Sequence, residues 1–146
     1  MGLDNLVGIS LEKISVDGAA VKRLLLAAER NIADAHIEQL SLENRFDAAY
    51  KAIMQLSNAA LQANGYRTLT SKPGHHMTMI QVLGKTINLD RKVIIVLDAL
   101  RKQRNVSDYS GDVVPASAVA ECISNAKKLL LEVKAWIAAN KSELLD

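Results

Sequence analysis

The sequence has few aromatic residues, two prolines and a single cysteine. Aromatic side chains make up only 3% of its 146 residues, whereas hydrophobic residues as a whole make up 49%. Because β-sheets are enriched in aromatic and β-branched residues, this composition favours helices that pack through alanine and leucine. The single cysteine, Cys122, excludes a disulfide within the chain. It lies in a predicted helix, where we expect a buried apolar residue in a reducing compartment.

Long apolar runs and a strong net charge are also lacking. No run approaches the roughly 20 apolar residues of a membrane span, and the N-terminal region, with Asp4 and Glu12, lacks the apolar core of a secretory signal. We therefore expect a cytoplasmic protein that makes no contact with a membrane. The net charge of +2 does not by itself imply a nucleic-acid partner. Charge is nevertheless uneven, because residues 90 to 104 carry five basic and two acidic side chains.

Hydrophobic residues recur at helical spacing through most of the chain. The spacing predicts one domain over residues 1–146, an all-α, up-and-down antiparallel bundle of four main helices plus a short fifth helix. Residues 1–15 are expected to lie against the bundle as an N-terminal arm, either helical or extended. The main helices are predicted from about Asp17 to Leu40, from the N-cap Ser41 to about Asn64, from Asp90 to about Asn105, and from Pro115 to about Lys141. The short helix begins at His75 and is broken at Gly84 and Asn88, and a loop is predicted over residues 106–114.

The C-terminal end of the predicted helix from Asp90 to about Asn105 is the most informative segment. Arg104 continues the apolar stripe of that helix, so its guanidinium is directed towards the interior. A guanidinium there is either paired, with Asp108 and Asn105 as candidates, or kept for an anion such as phosphate. Alternatively, Arg101, Lys102 and Arg104 only complement the negative end of the helix dipole.

Residue patterns for metal and nucleophilic chemistry are missing. The chain has no paired Glu-x-x-His motifs, no phosphate-binding glycine loop and no nucleophile elbow. His75 and His76 are adjacent, so their side chains diverge by about 100° on a helix and cannot chelate one ion. We expect no metal and no cofactor. The two histidines either cap their helix or place one ring near Arg104. Helical spacing favours core positions for Phe46, Tyr50 and Met79, and a boundary position for His36.

Four segments carry a resemblance to a known family: Arg45-Phe46-Asp47-Ala48-Ala49-Tyr50-Lys51-Ala52, Gly65-Tyr66-Arg67, Gly74-His75-His76 and Arg101-x-x-Arg104-Asn105-x-x-Asp108-Tyr109. Together they resemble the HEPN superfamily of helical bundle domains, from about Val21 to Trp136. Many members of that family carry a ribonuclease histidine where this chain has Tyr109, and no histidine follows Arg104. Tyrosine titrates near 10 and is a poor base at neutral pH. The Asp-Tyr ending therefore resembles the non-catalytic branch of the superfamily.

The resemblance implies a homodimer in which the motif arginines of two chains face one cleft. It also implies a module that binds nucleotides or nucleic acid, or that accompanies a nucleotidyltransferase in a toxin-antitoxin-like pair. On this basis we expect a phosphate-bearing ligand, a nucleotide or RNA, at Arg101, Arg104, Asn105, Asp108, Tyr109 and His76. Two alternatives stay open. The first is a metal-independent endoribonuclease in which His75 or His76 replaces the missing base. The second is a structural interaction protein whose arginines pair with Asp108 and Asp47 and which docks a nucleotidyltransferase.

Overall fold

The computed structural model describes residues 2–71, 74–111 and 113–146, and the side chains of residues 108–110 are not described. The fold is an all-α helical bundle, as the sequence predicts. Its helices are α1 (Gly18–Ala35), α2 (Leu42–Ala63), α3 (His75–Gln81), α4 (Leu83–Thr86), α5 (Arg91–Ser110) and α6 (Ala116–Asn140). Short 3₁₀-helices at Leu3–Leu6 and Ser142–Leu145 flank them. None of the described helices is both long and apolar enough to cross a bilayer.

The predicted helix starts are confirmed by their capping side chains. The Asp17 carboxylate accepts hydrogen bonds from the backbone N–H groups of the first turn of α1, at 3.0 and 3.3 Å. The Ser41 hydroxyl accepts from Asn44 N at 3.1 Å, and the Asp90 carboxylate accepts from Lys92 N at 2.9 Å. These bonds satisfy N–H groups that the helix itself leaves without a partner. Short-range sequence signals therefore place these three helices.

Two predicted helix ends are wrong. Helix α1 ends at Ala35 rather than near Leu40, because Arg45 Nε donates to the Ala35 carbonyl at 2.8 Å and turns with hydrogen bonds between residues three positions apart follow. Helix α5 continues to Ser110 rather than ending near Asn105, so most of the predicted loop is helical. It ends where Gly111 adopts a left-handed φ of +72° and donates to the Ser107 carbonyl at 3.0 Å.

The short helix also differs from its prediction. Gly84 lies inside α4 instead of breaking a helix, and the interruption falls at Val82, between α3 and α4. The N-terminal arm combines both expected forms, since a 3₁₀-helix is followed by strand β1 (Leu11–Lys13). That strand pairs antiparallel with β2 (Tyr66–Thr68), with Leu11 opposite Thr68. The sequence pattern did not predict this two-stranded sheet.

Helix α2 is the centre of the bundle. It packs mainly against α1 and α6 and also contacts α3 and α5. Its buried face is rich in alanine, with five alanines that have no exposed surface: Ala49, Ala52, Ala59, Ala60 and Ala63. Small side chains let neighbouring helices approach closely, which is how a core with few aromatic residues reaches high packing density. The face of α2 between α3 and α5 carries larger and more polar residues.

Candidate anion-binding cleft

A cleft of about 400 Å³ opens between α2, α3 and α5. We call it the Arg104 cleft, and it is lined by Asp47, Tyr50, Lys51, Met54, Gln55, Asn58, His76, Met79 and Arg104. The α2 residues follow one another at intervals of three, one, three, one and three positions, which places them on one stripe of the helix. Its volume lies within the range of about 300–1,000 Å³ typical of small-molecule sites.

Arg104 reaches the cleft from α5. Its guanidinium carbon lies 5.4 Å from the centre of the Tyr50 ring, a cation–π distance. Its Nε lies 3.8 Å from Oδ1 of Asp47, and the two side chains are 33% and 49% exposed. The Tyr50 ring and the Asp47 carboxylate thus orient a guanidinium that solvent still reaches.

Tyr50 and His76 contact each other across the cleft. The Tyr50 hydroxyl and His76 Nδ1 are 3.3 Å apart. Burial raises the pKa of Tyr50 to about 12, so its hydroxyl stays protonated and can donate to a neutral imidazole. Burial, and next the neighbouring His75, lower the pKa of His76 from its ordinary value of 6.5. His76 is therefore neutral at pH 7.

Two amide side chains add hydrogen-bond donors. Gln55 Oε1 accepts from Asn31 Nδ2 at 2.8 Å, and Asn58 Oδ1 accepts from Gln62 Nε2 at 3.2 Å. Within the described part of the chain, the NH₂ groups of Gln55 and Asn58 make no hydrogen bond. Among the described residues, the lining offers two cations, Lys51 and Arg104, and two amide donors against one carboxylate, that of Asp47. This chemistry favours an anion.

The structure brings two of the predicted site residues together, Arg104 and His76. Arg101 is not in the lining of the cleft, because its Nε binds Oδ1 of Asp98 at 2.8 Å and its side chain is only 16% exposed. Asn105 is partly buried on α5 and is also not part of the lining.

The remaining two predicted site residues, Asp108 and Tyr109, have side chains outside the described part of the structure. Their backbone continues α5. Asp108 as a partner of Arg104 therefore remains a prediction. The other predicted partner, Asp47, is within ion-pair distance of Arg104.

Several lining residues were not predicted from the sequence as site residues. Tyr50 and Met79 are buried, as predicted, with 3% and 7% exposure, yet both also line the cleft. Lys51, Gln55 and Asn58 were missed altogether. A signal was available, because these three polar residues recur at helical spacing beside Tyr50. Phe46 is confirmed as a core residue at 1% exposure.

Of the two other histidines, His36 lies away from the Arg104 cleft and His75 lies beside His76. His36 is the exposed C-cap residue of α1, away from the cleft lining. The His75 ring packs edge-on against that of His76, with centroids 4.7 Å apart. In the described ranges, no cluster of three His, Cys, Asp or Glu residues could hold a metal ion.

Comparison with known proteins does not assign this chain to a family. No family model matches this chain, and no curated protein matches it significantly. Proposals about function therefore depend on the geometry of the Arg104 cleft and on the sequence motifs within it.

Proposed function

We propose that this protein is a HEPN-like helical domain that binds a phosphate-bearing ligand, a nucleotide or a short stretch of RNA, in the Arg104 cleft. The observation that carries the proposal is the Arg104 guanidinium, 5.4 Å from the Tyr50 ring centre and still one-third exposed. A guanidinium presents donors in a planar fork that matches phosphate oxygens. A ring beneath it restricts its motion, which reduces the entropy lost on binding.

The Asp47 carboxylate is too weak a competitor to exclude such a ligand. An ion pair as exposed as that of Arg104 and Asp47 contributes at most about 1 kcal/mol. A hydrogen bond from a charged group to phosphate contributes roughly 1.5–3 kcal/mol. The Asp47 carboxylate, 3.8 Å from Nε, therefore does not exclude a phosphate at Arg104.

The rest of the lining suits the other parts of a nucleotide. Lys51 adds a second cation, and the amide groups of Gln55 and Asn58 can donate to phosphate, ribose or base. Met54 and Met79 supply flexible apolar surface against which a base can pack. Phosphate and base thus have distinct partners in one cleft.

Calorimetric titration with ATP and with a short RNA tests the proposal. We expect Arg104→Ala to weaken binding by about 10- to 100-fold, the equivalent of one charged hydrogen bond to phosphate. Arg23→Ala, which removes an exposed positive charge from α1, is the matched control and should leave affinity nearly unchanged. Equal losses in both variants, or no binding by the unmodified protein, would reject the proposal.

A metal-independent endoribonuclease is the second candidate, because His76 is neutral at pH 7 and shares the cleft with Arg104. A neutral imidazole can act as a general base. We nevertheless expect no RNA cleavage above background, since Tyr109 stands where the family's histidine occurs. Cleavage that is lost in a His75→Ala, His76→Ala double variant and retained in Tyr109→Phe would establish the ribonuclease instead.

We further propose a homodimer and, as an expectation from the family resemblance, a nucleotidyltransferase partner in a toxin-antitoxin-like system. The dimer is an expectation from the family resemblance, and Ile95 on α5 and Leu131 on α6, which are 60% and 69% exposed, are apolar side chains that a second copy could cover. Sedimentation at micromolar concentration should give about twice the chain mass of 15.9 kDa. A monomer would contradict the dimer.

A further inference from the structure

A second concave surface of about 520 Å³ lies on another side of α2. We call it the Arg45 patch, and it is lined by His36, Arg45, Ala120, Ile123, Ser124, Lys127 and Lys128. It joins the end of α1, the first turns of α2 and the first half of α6. Arg45 and Asp47 are two positions apart on α2, so their side chains point about 200° apart around the helix. The Arg45 patch is therefore separate from the Arg104 cleft.

The patch concentrates positive charge, and none of the described residues that line it carries a carboxylate. Within the described part of the chain, the ion pairs engage other cations, namely Lys13, Arg67, Arg101, Lys102, Arg104 and Lys134. Arg45, Lys127 and Lys128 form no ion pair with any described residue. The acidic residues of α6, Glu121 and Glu132, do not line the patch. Three like charges that share one concavity repel each other, and a bound anion relieves that repulsion.

Arg45 is held in place before any ligand arrives. Its Nε donates to the Ala35 carbonyl at 2.8 Å, which anchors the side chain at the end of α1. The terminal nitrogens of the guanidinium carry the donors that suit phosphate oxygens. Ser124 adds a hydroxyl donor on α6, and the small side chain of Ala120 leaves room for close approach. An anchored arginine loses less entropy on binding than a mobile one.

The arrangement of the two lysines indicates an extended ligand. Lys127 and Lys128 are both exposed and adjacent on α6, so their side chains diverge by about 100°. Two divergent ammonium groups reach different phosphates more readily than a single one. We infer that the Arg45 patch binds successive phosphates of a phosphate chain, the chemistry shared by a single nucleic-acid strand and inorganic polyphosphate. This inference stands without the proposed function of the Arg104 cleft.

Salt-dependent binding of a labelled single-stranded RNA about ten nucleotides long tests the inference. Each phosphate contact on a single strand contributes about 0.7 to the slope of log affinity against log salt. We expect a Lys127→Gln, Lys128→Gln double variant to reduce that slope by about 1.4, which corresponds to roughly 25-fold weaker binding near 0.1 M salt.

A Lys22→Gln, Arg23→Gln double variant is the matched control. It removes the same charge from α1, about 21 Å along the helix from His36. The two double variants should differ clearly in slope, and equal slopes with RNA would exclude a nucleic-acid strand as the ligand, because only general electrostatics would then be at work.

Two further arms separate the ligand source and the two sites. Titration with labelled linear polyphosphate repeats the comparison, and loss of slope with polyphosphate but not with RNA would identify polyphosphate as the ligand. No loss with either chain overturns the inference. ATP affinity should be unchanged in the Lys127→Gln, Lys128→Gln variant, whereas Arg104→Ala should leave the contribution of the patch to the RNA slope intact. If ATP binding also fell with the lysines, the separate patch would be refuted.

Discussion

Replacing Asp47 with asparagine distinguishes an Arg104 reserved for a ligand from an Arg104 committed to its carboxylate neighbour. The two side chains are about one-third and one-half exposed, and Nε lies 3.8 Å from Oδ1. At that separation two unit charges interact by about 1 kcal/mol in water, and exposed pairs rarely exceed this value. The substitution keeps the size of the side chain and removes its charge.

We expect Asp47→Asn to lower stability by less than about 1 kcal/mol, which lowers the melting temperature of a domain of this size by at most about 2–4 °C. Binding of ATP should become tighter by up to about fivefold, because the Asp47 carboxylate no longer repels the phosphates, and that repulsion amounts to about 1 kcal/mol. Calorimetry and thermal denaturation measure the two effects on the same sample.

Glu38→Gln removes one exposed carboxylate outside the cleft lining and serves as the control. It should move neither quantity appreciably. A melting temperature that falls by many degrees in both Asp47→Asn and Arg104→Ala, with no ATP binding in any form of the protein, would refute the reasoning. The arginine would then be a structural ion-pair residue in an interaction protein.

Four further outcomes are expected. ATP binding should tighten as the pH falls from about 7 to about 5 and lose this dependence in His76→Gln, since phosphate favours the protonated imidazole. Without ligand the sign is opposite for stability: the pKa of His76 is lower in the folded chain, so its contribution is present above pH 6.5 and is lost as the pH falls. Urea denaturation of the unmodified protein and of His76→Gln at a series of pH values measures this contribution to stability. Burial raises the pKa of the Cys122 thiol to about 12, so iodoacetamide should modify it at about pH 8 only after denaturation. Gly65→Ala should destabilise the fold by about 1–2 kcal/mol in urea, because Gly65 has a φ of +88°; an unchanged midpoint would contradict this.

The features that the sequence predicted correctly depend on short-range chemistry. Asp17, Ser41 and Asp90 cap helices through bonds to N–H groups two or three positions away, so their neighbours in sequence suffice. The errors involve long-range contacts. The Ala35 carbonyl is taken by Arg45, ten positions on, and β1 pairs with a strand more than fifty positions away. Helical spacing records which residues share a face but not which distant group meets them.

The candidate site shows the same division. Arg104 was placed on the inner stripe of its helix by spacing alone, and it lies at the cleft. Tyr50 was predicted as core, and that is true of most of its surface. Its second role, supporting the guanidinium, depends on where α5 crosses α2, which no single-helix pattern contains. Arg101 is a comparable case. Its side chain binds Asp98 on the same helix rather than the cleft, and helical spacing alone does not distinguish between these two positions.

The alanine face of α2 limits how this chain can change. Its five alanines have no exposed surface, so shortening them further removes little buried area. Replacing one of these alanines with a larger residue overpacks the helix interface, which costs about 1–3 kcal/mol out of a total stability of about 5–15 kcal/mol. A library that randomises this face and is selected for folding should therefore return glycine, serine and alanine there, while the outer positions of α2 vary freely. Because the same helix carries most of the cleft residues, a change that shifts α2 against α1 and α6 also shifts one wall of the Arg104 cleft relative to α3 and α5.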